Sequence, residues 1–362
     1  MTQEGPFALG AADAARAIRD GKITSEELVQ ACLDRISAFE PTVQAWTHLS
    51  AEYALEQARS IDQRRYQGRE IGPLGGVPVG IKDIFDTVDY PTEYGSPIHK
   101  GRQTIDDAST VAQLRQAGAV IMGKTVTTEF AVYAPGKTTN PHDVSRTPGG
   151  SSSGSAAAVA SFMVPLALGS QTNGSTIRPA SFCGVVGYKP SFGLISRSGA
   201  LRQSPPLDQV GVFARSVEDA GLMAQHIMHY DAHDAAMRPI AMPPLAQAAT
   251  EKPPLPPSFA FVPSPAWKQA EPGTQEAFSE LADFLGDQAQ RLALAEVYDE
   301  VFEWQRRVME ADLAKNFAAD FERASDKISP QLTEMVERGR EVMAVDYNLG
   351  LDRQVAFERG LD

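Results

Sequence analysis

The sequence has few cysteines and no long apolar run. Its two cysteines, Cys32 and Cys183, have neither the density of a disulfide scaffold nor the spacing of metal ligands. The longest apolar segment, 156–168, is interrupted and shorter than the roughly 20 residues that span a membrane. The N-terminus lacks the basic and apolar regions of a secretory signal. We therefore predict a cytoplasmic protein with reduced, buried cysteines and no metal.

Positive charge is also scarce. The 362 residues include 33 Lys plus Arg against 46 Asp plus Glu, which gives a net charge of −13. Such a surface argues against nucleic acid or an anionic membrane as a direct partner. The hydrophobic content of 43% is enough for a large core.

Helices alternate with buried strands in the first half of the chain. A capping box at Thr24-Ser25-Glu26-Glu27 predicts a helix to about Phe39, and 51–65 has the pattern of a second helix. The apolar segment from Gly75 predicts a buried strand ending near Lys82, and a helix at 107–117 precedes a strand at 119–123. The prediction is an α/β fold with a central mixed, mostly parallel sheet covered by helices on both faces.

Two clusters of small residues flank one apolar segment. GGSSSGS occupies 149–155 and GSQTNGS occupies 169–175, with a short buried helix and a buried strand predicted between them. Small residues leave backbone N–H groups uncovered, and an oxyanion hole is built from such groups. Each cluster taken alone fits a flexible turn equally well.

A serine nucleophile needs a base, and the histidines do not provide an obvious one. None of the six, His48, His99, His142, His226, His229 and His233, has a recognisable triad context. A lysine can replace histidine if burial keeps it neutral. Lys82 has the required apolar neighbours. Its local sequence by itself favours an ordinary ion pair with Asp83 or Asp86.

Several motifs in the right order resemble the amidase signature family. They are the two Gly/Ser clusters, GVPVGIKDIFDT at 76–87, FCGVVGYKPSFG at 182–193 and LDQVGVFARSVEDA at 207–220. The resemblance extends from about Leu28 to Asp234. It implies an amidohydrolase that cleaves a small-molecule carboxamide through an acyl-enzyme, without a cofactor, and dimers are frequent among similar enzymes.

The resemblance also implies residue roles. Lys82 matches the base, Ser175 the nucleophile, and Ser151 the serine that bridges them after a cis peptide bond at Gly150-Ser151. The oxyanion would be held by backbone N–H groups of Thr172, Asn173, Gly174 and Ser175. Substrate side chains would contact the loops 125–146 and 190–206.

The chain departs from the family pattern at several positions. Asn173 and Ser153 stand where glycines are usual, Gln171 replaces an aspartate, and the arginine of the second motif is shifted by one place to Arg178. We expect Arg178 to bind a substrate carboxylate through its planar fork. The alternative is a buried ion pair with Glu129 or Asp208.

Rival interpretations remain open at this point. Ser152 fits the G-x-S-x-G elbow of an α/β-hydrolase, although no strand is predicted before it. His226, His229, Asp231 and His233 have the side chains of metal ligands. The family further includes the glutaminase component of an amidotransferase, so the chain is alternatively a partner-dependent subunit, or a scaffold without activity.

The second half of the chain resembles the family more weakly. A Pro-rich stretch at 240–265 is interpreted as a surface excursion, and helices are predicted at 273–286, 300–324 and 329–359. We predict one amidase-like domain over 1–362, with N-terminal helices at 1–70, a signature core at 71–235 and a helical part at 236–362. Family members usually continue with further strands, so we expect a truncated chain.

Overall fold

The computed structural model describes residues 5–361. It divides into two compact units, Met1–Thr250 with Asp312–Glu337, and Glu251–Ala311 with Arg338–Asp362. The boundary after Thr250 falls inside the Pro-rich stretch 240–265. The ends of the predicted domain, 1–4 and Asp362, lie outside the described residues, and its extent over 1–362 stays a prediction.

The first unit contains a six-stranded sheet with the order β1-β3-β2-β4-β6-β5. The strands are β1 (Trp46–Leu49), β2 (Pro78–Lys82), β3 (Val120–Thr125), β4 (Leu166–Gln171), β5 (Val186–Tyr188) and β6 (Gln209–Ala214). Every residue of β2 and β3 is buried, so both faces of these central strands are covered. The near-continuous apolar pattern of β2 was therefore a correct strand signal.

The sheet is mixed, as predicted, but the expectation that it is mostly parallel is wrong for the described strands. Only β2 pairs in parallel with β3 and with β4, whereas β1/β3, β4/β6 and β5/β6 are antiparallel. The antiparallel pairs involve β1, β5 and β6, which the predicted alternation of helices and strands did not include. The parallel centre still places the carboxyl ends of β2, β3 and β4 at one edge, where α/β sheets usually carry their sites.

Helices complete the two units. They are α1 (Ala11–Arg19), α2 (Ser25–Val43), α3 (Ala51–Tyr66), α4 (Ser109–Gln116), α5 (Ser153–Ala160), α6 (Ile177–Cys183), α7 (Val217–Ile227), α8 (Leu245–Ala248), α9 (Pro272–Leu285), α10 (Val301–Asn316), α11 (Ala318–Ala324), α12 (Pro330–Arg340) and α13 (Ala344–Leu361). Short 3-10 turns lie at Pro6–Ala8, Pro97–His99, Glu129–Ala131, Trp267–Gln269, Gly286–Gln288, Glu296–Glu300 and Ser325–Lys327.

The predicted helix starts hold better than the predicted lengths. Thr24 caps α2 through the predicted box, in which its side chain and that of Glu27 each accept the other's backbone N–H. The helices predicted at 300–324 and 329–359 are each broken in two, after Asn316 and after Arg340. The part at 236–362 is also not purely helical, because β7 (Phe259–Phe261) pairs in parallel with β8 (Ala289–Arg291).

The structure tests the prediction about the two cysteines. Cys32 and Cys183 are both free and buried, as expected. Among the described residues, no helix has both the length and the apolar character needed to cross a membrane.

Candidate active site

Lys82 is the last residue of β2 and its side chain is wholly buried. Its Nζ lies 2.7 Å from Ser151 Oγ and 2.8 Å from Ser170 Oγ. Ser170 is near the end of β4, which pairs with β2 through Ile81 and Leu168, so the sheet register brings the two side chains together. A buried amine is thus held between two neutral hydroxyl groups.

Burial holds the pKa of Lys82 well below its usual value, because the ammonium form would lose its water. The positive charge of Arg178 lowers this pKa further, whereas the negative charge of Asp208 raises it. The ion pair expected from the local sequence is absent. Asp83 pairs with Lys124 at 3.1 Å and Asp86 with Arg102 at 2.7 Å, so the adjacent acids are committed elsewhere.

Ser151 lies in the loop before α5, and the Gly150–Ser151 peptide bond is cis, as the resemblance implies. The carbonyl of Gly150 accepts hydrogen bonds from Arg178 Nε at 3.1 Å and Nη2 at 2.6 Å. A Cβ at Gly154 would clash with the backbone of Ala45 and Val126, so only glycine allows α5 to approach these two segments so closely. The alternative in which Arg178 pairs with Glu129 or Asp208 is wrong.

Ser152 is not a nucleophile elbow. It is fully buried and follows an irregular loop rather than a strand. Its hydroxyl donates to the Ser170 carbonyl at 3.2 Å and accepts from the Ser170 N–H at 3.3 Å. Ser152 is the N-cap residue of α5, but its side chain makes no capping hydrogen bond. A Cβ at Gly169 would lie 2.9 Å from Ser152 Oγ, which explains the small residue there.

Ser175 follows β4 and precedes α6, and it is 7% exposed. Among the described residues, none hydrogen-bonds the Ser175 hydroxyl, and no acceptor takes the backbone N–H of Thr172, Asn173, Gly174 or Ser175. Gln171 Oε1 instead accepts the next two N–H groups, of Thr176 and Ile177. A neutral amide therefore satisfies the start of α6 where an aspartate is usual.

Asn173 is tolerated in place of glycine because the backbone there is ordinary. Neither Asn173 nor Gly174 has a positive φ, so the left-handed tolerance of asparagine is not used. The Asn173 side chain donates to the Tyr133 hydroxyl at 2.8 Å. This contact links the second Gly/Ser cluster to the loop 125–146.

The Asp208 carboxylate is hydrogen-bonded to Thr172 and to nearby backbone. Thr172 Oγ1 is 2.6 Å from Asp208 Oδ1, and the carboxylate also accepts the backbone N–H groups of Gln203 and Ser204. Burial raises the pKa of Asp208 to about 6 despite these hydrogen bonds. Its carboxylate is thereby fixed near Lys82 without contacting the amine.

Two cavities border the serine loops. The first, of about 220 Å³, reaches Ser170, Thr172 and Asp208. The second, of about 230 Å³, is lined by Gly150, Ser153, Arg178 and several residues of the loop 125–146. Arg178 lies at the second cavity, so its predicted role toward a substrate carboxylate stays a prediction.

The described histidines make no hydrogen bond to the serines of the site. Among the described residues, no group of three or more His, Cys, Asp or Glu side chains is arranged to hold a metal ion. His233 Nδ1 pairs with Asp231 at 3.0 Å, while His226 is on α7. The segment 226–233 is therefore not assembled as a cation site.

Ser170 is the site residue that sequence reasoning missed. It lies inside the second Gly/Ser cluster but has no assigned role in the motif comparison. Its contact with Lys82 depends on the register of β2 against β4, which a single sequence does not encode in any local pattern. The available signal was a small polar residue at the carboxyl end of a strand next to β2.

Known proteins are similar to this chain in sequence and in fold. A family model described as "Amidase" matches residues 27–346. A glutamyl-tRNA(Gln) amidotransferase subunit of Thermobifida fusca is 41% identical over 283 residues, which are 76% of this chain and 57% of that protein. The corresponding subunit of Chloroflexus aurantiacus is 43% identical, over 69% of this chain and 52% of its own length. The chain spans about half the length of the curated relatives it matches.

Solved structures share the fold at greater sequence distance. A structure of 6-aminohexanoate cyclic dimer hydrolase matches with a TM-score of 0.85 and 27% identity, covering 99% of this chain and 77% of that one. The sheet, the paired serine loops and the matched residues lead to one conclusion. The chain belongs to the amidase family.

Proposed function

We propose that the protein is an amidohydrolase in which Lys82, Ser151 and Ser175 act together on a small carboxamide. Ser175 attacks the carbonyl carbon while its proton passes to Ser151 and the Ser151 proton passes to Lys82. The reverse transfer protonates the leaving nitrogen, which departs as ammonia or an amine. Water then hydrolyses the acyl-enzyme by the same route.

One observation carries the proposal. The wholly buried Lys82 amine is 2.7 Å from Ser151 Oγ, has no carboxylate partner among the described residues and has a strongly lowered pKa. A neutral amine can accept a proton from a serine, whereas a lysine in an ion pair cannot. Lys82 therefore has the environment of a base.

The second support is the uncovered backbone of Thr172–Ser175. Its four N–H groups have no acceptor among the described residues and adjoin the Ser175 hydroxyl. Such donors stabilise the negative charge that develops on the carbonyl oxygen, and each typically contributes about 3 kcal/mol. The link from Ser175 to Ser151 is the step that the proposal adds, since catalytic hydrogen bonds often tighten only when substrate binds.

The test is a panel of aryl, alkyl, ureido and amino-acid amides assayed for ammonia or amine release. Lys82→Ala, Ser151→Ala and Ser175→Ala should each abolish most turnover, and a fluorophosphonate probe should label Ser175. Ser161→Ala is the matched control, because this serine is also buried and its hydroxyl has no hydrogen-bond partner among the described residues. Labelling of another serine, or full activity of Ser175→Ala, would end the proposal.

A second candidate function is favoured by the relatives of 41% and 43% identity, which are amidotransferase subunits. In this version the same three residues release ammonia from glutamine only when a partner protein is bound. Glutamine hydrolysis that appears on adding a co-purified chain supports the partner-dependent role. If the isolated chain hydrolyses simple amides as fast as it does with the co-purified chain present, the free hydrolase is supported.

A further inference from the structure

The first cavity is lined both by residues of the site and by exposed charged residues. Its lining includes Ser170 and Thr172, and Ser170 is hydrogen-bonded to Lys82. Apolar residues, including the buried Phe85 and Val210, belong to the same lining. Arg202 and His233 also line the cavity and are exposed. A molecule in this cavity would be bordered both by Ser170 and by Arg202.

The other charges that line this cavity already have partners. Arg197 donates to both oxygens of Asp234, at 2.7 and 2.9 Å. Asp208 accepts hydrogen bonds from Thr172 and two backbone N–H groups, and His233 pairs with Asp231. Arg202 differs, because no described residue forms an ion pair or hydrogen bond with its guanidinium. All of its five N–H donors are available to a ligand.

Arg178 is less suited to the same task. Its Nε and Nη2 both donate to the Gly150 carbonyl, so the fork that would hold a carboxylate in two hydrogen bonds is occupied. Binding a substrate there would compete with the contact that holds the segment before Ser151. Arg202 can engage a carboxylate without breaking any contact of the site.

The net charge of the chain makes a local cation important. At −13 the protein as a whole repels anions. An unpaired arginine at a partly apolar cavity reverses this locally. Asp208 would oppose an anion beside Thr172, so the charged end of a ligand would bind at Arg202.

We propose that Arg202 binds the carboxylate of a short substrate whose amide group lies at the Ser170–Thr172 end of the first cavity. The substrate class is an amide with a carboxylate at the far end of a short carbon chain. The volume of about 220 Å³ is below the ~300–1,000 Å³ typical of pockets for drug-sized ligands, which restricts the chain length. This inference rests on the proposed amidohydrolase function.

The kinetic test uses glutaramate and its neutral counterpart glutaramide as substrates. Arg202→Gln should raise KM for glutaramate about 10- to 100-fold, as expected for a hydrogen-bonded charge pair, and leave KM for glutaramide and both kcat values within about twofold. Arg202→Lys should keep part of the preference for glutaramate over glutaramide, and Arg202→Glu should remove this preference. Arg69→Gln, at an exposed arginine outside the cavity, is the matched control. Equal changes with both substrates, or no wild-type preference for glutaramate, would overturn the assignment.

A binding measurement separates this inference from the proposed function. Calorimetric titration of glutarate into Ser175→Ala protein should show binding that is lost with the added Arg202→Gln change. If no amide is hydrolysed but this Arg202-dependent binding is present, the assignment of the carboxylate site stands and the amidohydrolase function falls. If amides are hydrolysed and glutarate binding ignores Arg202, the function stands and the assignment falls.

Discussion

Two buried lysines on neighbouring strands have opposite surroundings. Lys82 ends β2 and contacts the hydroxyls of Ser151 and Ser170. Lys124, on β3, lies 3.1 Å from the Asp83 carboxylate and also donates to Thr92 Oγ1 and the Pro91 carbonyl. Both side chains are 0% exposed, so burial alone does not distinguish them.

The difference lies in the charge of the partner. Burial lowers the pKa of both amines, but the Asp83 carboxylate offsets much of this effect at Lys124, whereas Lys82 has only a distant acid and a nearby Arg178. A paired buried lysine serves structure, since removing one partner leaves an uncompensated charge. A buried lysine among hydroxyls can serve as a base.

The largest expected effect separates the two lysines by activity. Lys82→Met should lower kcat/KM on the best amide by about 10⁴-fold, because in the proposed mechanism the proton of the nucleophile loses its acceptor. Circular dichroism should show retained fold. A variant that keeps more than about a tenth of wild-type activity would contradict the role of Lys82 as base.

The free energy of unfolding should depend on Lys124 through its ion pair with Asp83. Lys124→Met leaves the buried Asp83 carboxylate unpaired, so the free energy of unfolding should fall by about 3–5 kcal/mol in denaturant titrations. Adding Asp83→Asn should restore much of this loss, because the isolated charge is then absent. If the double variant is as unstable as the single one, the pair does not act through charge.

Because Lys82 has a lowered pKa in the folded chain, the free energy of unfolding should rise with pH. The pKa of Lys82 in the folded chain is below the ordinary 10.5, so the unfolded chain binds more protons in the interval between the two values. Stability linked to Lys82 therefore increases with pH across this window, by up to about 1.4 kcal/mol per pH unit. The difference in unfolding free energy between the wild type and Lys82→Met should show this slope. A flat difference would mean that Lys82 is charged when folded.

The smallest effect concerns Ser170. Ser170→Ala removes one of the two hydroxyls beside Lys82 but leaves the proposed proton route through Ser151. We therefore expect kcat to fall only about 10-fold, consistent with loss of one hydrogen bond. Ser151→Ala should cost at least ten times more. Equal losses would show that Ser170, not Ser151 alone, carries the proton.

The sequence predicted much of this site because its information is local. The end of β2 at Lys82, the small residues around Ser151 and Ser175, and the helix and strand between them all follow from patterns within a few residues. The motif resemblance added the roles. The capping box of α2 was also predicted correctly, since its partners, Thr24 and Glu27, are three residues apart.

What the sequence did not predict depends on contacts across the sheet or on neighbouring elements. The partners of Lys82, Asp83 and Arg178 are 69, 41 and 28 residues away, and the adjacent acids were the wrong choice for Lys82. Antiparallel pairing of β4 with β6 likewise has no local signal. The breaks near Asn316 and Arg340 interrupt patterns that stay helical on both sides.

The charge of Lys82 is the central claim, and it can be measured directly. Nitrogen NMR of lysine side chains, with the Lys82 signal assigned by its absence in Lys82→Met, reports the protonation state during a pH titration. The account predicts that the Lys82 amine loses its proton well below pH 10.5. An Nζ that titrates at the ordinary value near 10.5 would contradict it.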